Sequence, residues 1–159
     1  MELPITVGQP APNFTLNNSD GEVRRLQDYQ GKWLVLYFYP KDNTSGCTTE
    51  ALDFTAHLKE FQQLNAAVVG ISPDSCQSHQ KFREKHGLQV ELLCDPEKTV
   101  LQQYGVWQKK RMYGREYMGV VRTTVLIDPQ GVIAYIWPKV KVSGHAQAVL
   151  QKLQELQSS

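Results

Sequence analysis

The chain has 159 residues, a length typical of one globular domain rather than of an enzyme with a separate cofactor module. Seventeen Lys and Arg against sixteen Asp and Glu give a formal net charge of +1, so no strong positive field exists to gather the phosphates of a nucleic acid. Hydrophobic residues make up 41% and charged residues 21%, which excludes an intrinsically disordered chain. We therefore predict a single domain over residues 1–159.

Neither a membrane nor a secreted location is indicated. The longest strongly apolar stretch, Trp33 to Tyr39, is too short to span a bilayer. The segment from Met1 to Pro10 lacks a basic region followed by an apolar one, so it does not resemble a secretory signal. We expect a cytoplasmic protein with no membrane partner. Three cysteines are too few and too odd in number for a disulfide scaffold, so each thiol needs its own explanation.

The first third of the sequence predicts a hairpin, a buried strand and a helix. Residues 13–24 surround an Asp-Gly turn signal and predict a β-hairpin. The apolar run from Trp33 to Tyr39 predicts a strand buried on both faces, which Pro40 ends. From Cys47 onward, apolar residues at three- and four-residue spacing predict a helix with one buried face: Ala51, Phe54, Leu58 and Phe61.

The middle of the sequence repeats this order. Ala66 to Ile71 predicts a second buried strand. Ser72 to Ser75 offers Ser and Asp side chains that cap the free amides of a helix, which then runs to about His86. Leu88 to Cys94 predicts a short strand, and Asp95 to Tyr104 a short helix.

The last third predicts an antiparallel hairpin and a final helix. Val120 to Ile127 and Val132 to Trp137 are apolar, β-branched runs around a turn at Asp128 to Gly131. Periodic apolar residues over 146–156 predict an amphipathic helix with Ser143 as its cap. Two strand–helix–strand units followed by a hairpin and a helix predict an α/β fold of thioredoxin-like architecture, a mixed sheet flanked by helices, with the N-terminal β-hairpin added.

Cys47 is the first candidate for chemistry, because it opens the helix that follows the first core strand. A thiol in the first helical turn meets free backbone amides and the positive end of the helix dipole, which favour the thiolate. Catalytic sites also gather at the carboxyl ends of strands in open α/β sheets. We therefore predict a reactive nucleophile. The alternative, a small buried hydrophobe, fits the polar neighbours Gly46, Thr48 and Thr49 poorly.

The pattern Pro40-x-x-x-Thr44-x-x-Cys47 resembles the active-site signature of the peroxiredoxins. Tyr-Pro-Lys-Asp-Asn-Thr before Gly-Cys-Thr-Thr-Glu is similar to the Q-type branch, the bacterioferritin comigratory proteins, and the likeness runs from Val7 to the last helix. Met118 to Asp128 resembles the arginine-bearing strand of that family. The resemblance implies a thiol peroxidase that reduces hydrogen peroxide and organic hydroperoxides without a cofactor or metal ion.

The resemblance also implies a role for each residue of these segments. Cys47 attacks a peroxide oxygen and becomes a sulfenic acid, while the Thr44 hydroxyl donates or relays a hydrogen bond between peroxide and thiolate. Pro40 shields the thiolate from bulk water, and Arg122 supplies a fixed cation that favours it. Glu50 either holds that arginine in place or is only a charge near the helix start.

The sulfenic acid needs a second thiol, and here the sequence departs from the family. Many Q-type members carry a cysteine five residues after the first, where this chain has Leu52. Cys76 opens the next helix at the same edge of the sheet and is our preferred resolving thiol, although two cysteines bridge only when their Cα atoms approach within about 7 Å. Cys94 fits a small, semi-buried residue better. A thiol from another molecule is the alternative, which would make the protein a one-cysteine enzyme.

Two further patterns carry simpler interpretations. Cys76 and His79 form Cys-x-x-His, but without a second close ligand pair we predict no metal site. Lys109 to Arg111, near Trp107 and Tyr113, lies in a predicted loop and fits a solvated face better than a nucleic-acid patch.

Two competing functions are disfavoured. A thioredoxin-like disulfide oxidoreductase normally has Cys-x-x-Cys at the helix start, whereas position 50 is Glu. A binding module of the same fold would not need Pro40, Thr44, Cys47 and Arg122 together. By resemblance we expect thioredoxin or a similar dithiol protein as reductant, and a monomer or at most a weak dimer.

Overall fold

A computed structural model of the chain describes residues 4–158. Residues 1–3 and 159 of the predicted domain, including the start of the segment considered as a secretory signal, lie outside the described residues. The strands are β1 Thr15–Asn18, β2 Val23–Arg25, β3 Trp33–Phe38, β4 Ala66–Ser72, β5 Glu91–Cys94, β6 Trp107–Met112, β7 Arg115–Val120, β8 Thr123–Ile127 and β9 Ile133–Trp137. The helices are α1 Ser45–Gln63, α2 Cys76–His86, α3 Thr99–Gln103 and α4 His145–Ser158, with a 3-10 helix at Leu26–Tyr29.

Seven strands form a mixed sheet in the order β2-β1-β5-β4-β3-β8-β9. β3 lies near its centre, parallel to β4 on one side and antiparallel to β8 on the other. β4 is in turn parallel to β5. The carboxyl ends of β3, β4 and β5 therefore meet at one edge of the sheet, which is where α1 and α2 begin.

Side chains alternate along β3 and fill a core on each face of the sheet. Leu34, Leu36 and Phe38 belong to one core, to which α3 contributes. Tyr37 and Tyr39 belong to the other, which is covered by α1, α2 and α4. Full burial of a large apolar side chain contributes about 1.5–3 kcal/mol, so these two cores are the main source of stability. Helices lie on both faces, as predicted.

The region after α3 differs from the prediction. The predicted loop at Lys109 to Arg111 is wrong, because these residues lie in β6, which pairs with β7 as a separate two-stranded sheet. The turn between them uses Tyr113 and Gly114 with φ of 52° and 77°, a geometry that suits a tight hairpin. Charged side chains along β6 and β7 hide this hairpin from a search for apolar alternation.

Three further element boundaries in the structure differ from the predicted ones. Helix α1 begins at Ser45, two residues before Cys47, and β5 begins at Glu91 rather than at Leu88. Val120 ends β7 instead of starting the next strand. Every helix within residues 4–158 is too short or too polar to cross a membrane.

Candidate active site

Cys47 lies in the first turn of α1, just beyond the carboxyl end of β3. Thr44 is the N-cap and has an extended backbone, so the chain turns into the helix there and the first amides have no helical acceptor. The Cys47 side chain is only 1% exposed and belongs to the core that contains Tyr37 and Phe54. Its polar neighbours do not keep it out of the core, contrary to our expectation, because the helix directs Thr49 to solvent and Cys47 inward.

Arg122 reaches the Cys47 thiol from the neighbouring strands. It lies in the two-residue break between β7 and β8, and β8 is paired with β3. Its Nη2 is 3.2 Å from Cys47 Sγ. A Cβ on Gly46 would stand 3.3 Å from this Nη2, so the glycine leaves room for the guanidinium beside the sulfur. The structure thus brings together two residues that are 75 positions apart.

Glu50 completes this group as the partner of Arg122. Arg122 Nη1 donates to Glu50 Oε1, and Glu50 is 1% exposed. Burial raises the pKa of Glu50 to about 7, while the nearby Arg122 charge acts in the opposite direction. Burial also acts to lower the pKa of Arg122, but Glu50 and Cys47 raise it above its ordinary value, so the guanidinium keeps its charge.

Thr44 and Pro40 lie in the loop that leads to Cys47. Thr44 is exposed, and its Oγ1 donates to the Lys41 carbonyl oxygen at 2.8 Å. Because the hydroxyl hydrogen is used in this bond, the lone pairs of Oγ1 are left to accept from another molecule. Pro40 is half-buried and directly follows Tyr39, whose amide donates to the Ile71 carbonyl oxygen and extends the contact between β3 and β4.

Tyr37 on β3 is a part of this environment that the sequence analysis missed. Its hydroxyl and Glu50 Oε2 are buried without a hydrogen-bond partner among the described residues. Burial, followed by the charges of Glu50 and Cys47, raises the pKa of Tyr37, so the phenol stays neutral. A Cβ on Gly70 would lie 2.6 Å from Tyr37 Cζ, so this glycine on β4 makes space for the ring. Alternation along β3 could have placed Tyr37 on the Cys47 side.

His145 and Lys110 were also missed, because their places near Arg122 depend on tertiary packing. His145 Nε2 is 2.8 Å from Thr124 Oγ1, and burial together with Arg122 lowers the pKa of His145 to about 4. Lys110 on β6 donates from Nζ to the Val120 carbonyl oxygen at 3.0 Å. Burial and Arg122 lower the pKa of Lys110, while Cys47 acts to raise it. The β6–β7 hairpin therefore adds a second cation to the surroundings of Cys47.

A buried hydrogen-bond network ties the loop before Cys47 to α2. Asp42 Oδ2 is 2.7 Å from His79 Nδ1 and accepts from Ser78 Oγ at 2.7 Å. The Asp42 amide donates to Asp74 Oδ2 at 2.8 Å, and His79 Nε2 is 2.9 Å from the Leu93 carbonyl oxygen. The side-chain atoms of Asp42, Asp74 and His79 that could ligate a metal ion lie within 4.8 Å of one another. These atoms are engaged in the hydrogen bonds just described.

Cys76 and Cys94 are joined in a disulfide, with their Cα atoms 5.2 Å apart. Cys76 is the first residue of α2, and Cys94 is the last residue of β5. Cys47 is free. The expectation that Cys94 is only a packed small residue was wrong, because α2 folds back over the end of β5, a contact that a separation of 18 residues does not reveal. The Cys-x-x-His pattern forms no common site, since His79 contacts Asp42 instead.

Comparisons with known proteins identify the family to which this chain belongs. The AhpC/TSA family matches residues 7–136. A putative peroxiredoxin bcp of Helicobacter pylori strain J99 is 52% identical over 149 residues, which cover 94% of this chain and 98% of the relative. Peroxiredoxin Bcp of Bacillus subtilis is 47% identical over 154 residues, which cover 97% of this chain and 98% of the relative.

Solved structures show the same similarity in three dimensions. A cysteine-to-serine mutant of Xylella fastidiosa PrxQ superposes with a TM-score of 0.90 at 41% identity, covering 95% of this chain and 96% of that one. Xanthomonas campestris peroxiredoxin Q superposes with a TM-score of 0.88 at 41% identity, covering 98% of each chain.

The fold is thioredoxin-like, and it carries the centre of a thiol-dependent peroxidase. The chain belongs to the AhpC/TSA family, with peroxiredoxins of the Bcp or Q type as its relatives. The resemblance and the fold class predicted from the sequence are confirmed.

Proposed function

We propose that Cys47 is the peroxide-reducing cysteine of this enzyme and that hydrogen peroxide and organic hydroperoxides are its substrates. The observation that carries this proposal is the 3.2 Å contact between Arg122 Nη2 and Cys47 Sγ. A fixed cation at the sulfur favours the thiolate, which is the nucleophilic form. Alkyl peroxide reduction is an activity of the Xanthomonas campestris bacterioferritin comigratory protein, which supports organic hydroperoxides as substrates here.

The geometry supports a direct displacement at oxygen. The Cys47 thiolate attacks one peroxide oxygen, the O–O bond breaks, and the sulfur becomes a sulfenic acid. Negative charge moves to the departing oxygen, which Arg122 and the free amides of the first turn of α1 can stabilise until it takes a proton. Thr44 Oγ1 donates to the Lys41 carbonyl oxygen, so it acts as an acceptor for the peroxide O–H and orients the substrate.

Glu50 and Pro40 serve this reaction indirectly. Glu50 is a positioning residue, because its buried carboxylate holds one nitrogen of Arg122 while the other faces Cys47. Pro40, half-buried at the start of the loop, limits the access of bulk water to the thiolate.

Cys76 is proposed as the resolving thiol, and thioredoxin or a similar dithiol protein as the reductant. The position of Cys76 at the start of α2, on the sheet edge where α1 also begins, supports this assignment, as does the absence of a thiol at Leu52. We further propose that residues 1–159 act as one domain and that the protein is a cytoplasmic monomer. The resemblance to the Q-type branch supports the monomer.

Replacement of the nucleophile tests the proposed function. Cys47→Ser should abolish the consumption of hydrogen peroxide and cumene hydroperoxide with dithiothreitol as reductant, because a hydroxyl at this site is not a nucleophile near neutral pH. Ala51→Ser is a matched control, since it adds a hydroxyl at a buried position one turn further along α1 and should leave most of the activity. Wild-type activity in Cys47→Ser would overturn the proposal.

A further inference from the structure

We propose that Cys76 and Cys94 form a redox-active dithiol/disulfide pair that takes over the oxidation of Cys47 in two successive exchanges. This inference rests on the proposed function of Cys47. It assigns to Cys94 a chemical role rather than a packing role, and it makes the Cys76–Cys94 disulfide, not a disulfide of Cys47, the oxidised form that the external reductant meets.

The two residues are built to open and close this bond with little movement. Their Cα separation of 5.2 Å lies within the range that a disulfide spans without backbone rearrangement. Cys94 is fixed in the sheet, where it pairs with Ser72 of β4 and Asn17 of β1. Cys76 is fixed by the start of α2, where Ser75 accepts from the Ser78 amide at 3.1 Å.

The two thiols of the pair have different surroundings. Cys76 opens an eleven-residue helix, whose free amides and dipole favour a thiolate. Cys94 Sγ lies 2.9 Å from the Asn17 carbonyl oxygen, whereas Cys76 Sγ lies 3.9 Å from the same oxygen, and a close carbonyl oxygen disfavours an anion. In the reduced pair, Cys76 is therefore the first nucleophile, and Cys94 acts second.

Access also differs between the two redox centres. The Cys47 side chain is 1% exposed, within the core. Cys76 and Cys94 instead border an open groove of about 570 Å³ between β1 and the segment before α3, lined also by Thr15, Asn17 and Pro96. Cys94 is itself only 3% exposed, but Cys76 is half-buried, so an external thiol reaches this disulfide at Cys76 Sγ more easily than it reaches Cys47.

A short segment connects the two centres. Asp42, five residues before Cys47, is bonded to Ser78 and His79, which follow Cys76 by two and three residues. When the first turn of α1 loosens, the hydrogen bonds of Asp42 with Ser78 and His79 keep the loop that precedes α1 beside α2. Opening of the residues between Asp42 and Cys47 is then the movement that brings the two sulfurs together.

Both exchange steps balance. In the first, the Cys76 thiolate attacks the sulfenic sulfur of Cys47; an S–S bond forms, the S–O bond breaks, and hydroxide leaves and is protonated to water. In the second, the Cys94 thiol gives its proton to solvent and attacks Cys76 Sγ. The Cys76–Cys94 bond forms, the Cys47–Cys76 bond breaks, and Cys47 leaves as a thiolate, which returns to its contact with Arg122 when the first turn of α1 forms again.

The bonding of the three cysteines in the structure is the bonding expected after these two exchange steps. Cys76 and Cys94 are bonded, whereas Cys47 is free and contacts Arg122. The two electrons lost by the dithiol equal those gained by the sulfenic acid. An external dithiol then reduces the Cys76–Cys94 bond and starts the next cycle.

A non-reducing peptide map after one equivalent of hydrogen peroxide tests this inference on fully reduced, air-free protein. Wild type should give the Cys76–Cys94 disulfide with Cys47 free. Cys94→Ser should stop at a Cys47–Cys76 disulfide, with faster amide exchange over residues 44–52 and 74–80 because the first helical turns have opened. Cys47→Ser should keep Cys76 and Cys94 as thiols over the same time.

The outcomes separate this inference from the proposed function. A Cys76→Ser, Cys94→Ser double variant should still form a sulfenic acid at Cys47, trapped by dimedone; its absence would count against the proposed function. The inference is wrong if Cys47→Ser forms the Cys76–Cys94 disulfide as fast as wild type, or if wild type keeps both thiols while Cys47 is oxidised. If the Cys94→Ser variant does not fold, Cys94→Ala takes its place. In either case, the rate of Cys76–Cys94 disulfide formation in Cys47→Ser compared with wild type decides whether the inference holds.

Discussion

At the scale of single residues, two side chains determine what Cys47 can do. Arg122 brings a charge to the buried sulfur, and Glu50 keeps the guanidinium in place. Burying such a pair costs desolvation energy, so we expect it to position the cation beside the sulfur rather than to stabilise the fold. The residue types follow from two sequence segments, one around Cys47 and one around Arg122. The burial of Cys47 and Glu50 beside the partly buried Arg122 follows only from the packing of β8 and α1 against β3.

The raised pKa of Glu50 makes stability depend on pH. Because folding raises this pKa from 4.5 to about 7, the folded chain holds the proton more tightly than the unfolded chain does. The stabilisation is fully present below pH 4.5 and is lost as the pH rises through 7. Urea unfolding from pH 4.5 to pH 8 should show the wild-type free energy of unfolding falling relative to Glu50→Gln by at most about 3 kcal/mol.

The control for this measurement is Glu84→Gln, on the exposed face of α2. Its free energy of unfolding should follow the wild-type curve across the same pH interval. A constant difference between wild type and Glu50→Gln would show that Glu50 does not titrate in this range.

At the scale of elements, the loop before α1 and the start of α2 are joined through His79. This side chain is fully buried and lies 2.7 Å from Asp42 Oδ2 and 2.9 Å from the Leu93 carbonyl oxygen. His79→Leu would leave a buried carboxylate without this partner and should lower the free energy of unfolding by about 3 kcal/mol in urea titrations. His57→Leu, at a partly exposed site on α1, should change it by less than about 0.5 kcal/mol. Equal effects of the two substitutions would contradict this role of His79.

Most elements could be predicted because their signals are local. The cap at Ser75 and the turn at Asp128 to Gly131 lie within a few residues of the structure they specify. The β6–β7 hairpin could not be predicted, because its strands carry charged residues instead of alternating apolar ones. Alternation along β3 could have placed Tyr37 on the Cys47 side, but its nearness to Glu50, like that of His145 to Arg122, arises from packing between distant parts of the chain.

At the scale of the whole molecule, the parallel arrangement of β3, β4 and β5 explains why three cysteines meet at one sheet edge. Cys47 and Cys76 open the helices that follow β3 and β4, and Cys94 ends β5. The sequence predicted the first two positions from strand and helix order. It did not predict the bond between Cys76 and Cys94, because that contact depends on how α2 lies across the sheet.

The central claim is that Arg122 activates the buried Cys47 thiolate for attack on peroxide. It is tested most directly by single-turnover quench-flow, which measures the second-order rate of peroxide loss with fully reduced protein. Arg122→Met should slow this step at least about tenfold, or ~1.4 kcal/mol, since the cation beside the sulfur is lost. Arg111→Met, which removes an exposed arginine paired with Glu116 on the hairpin, should react as wild type does. A wild-type rate in Arg122→Met would contradict the claim.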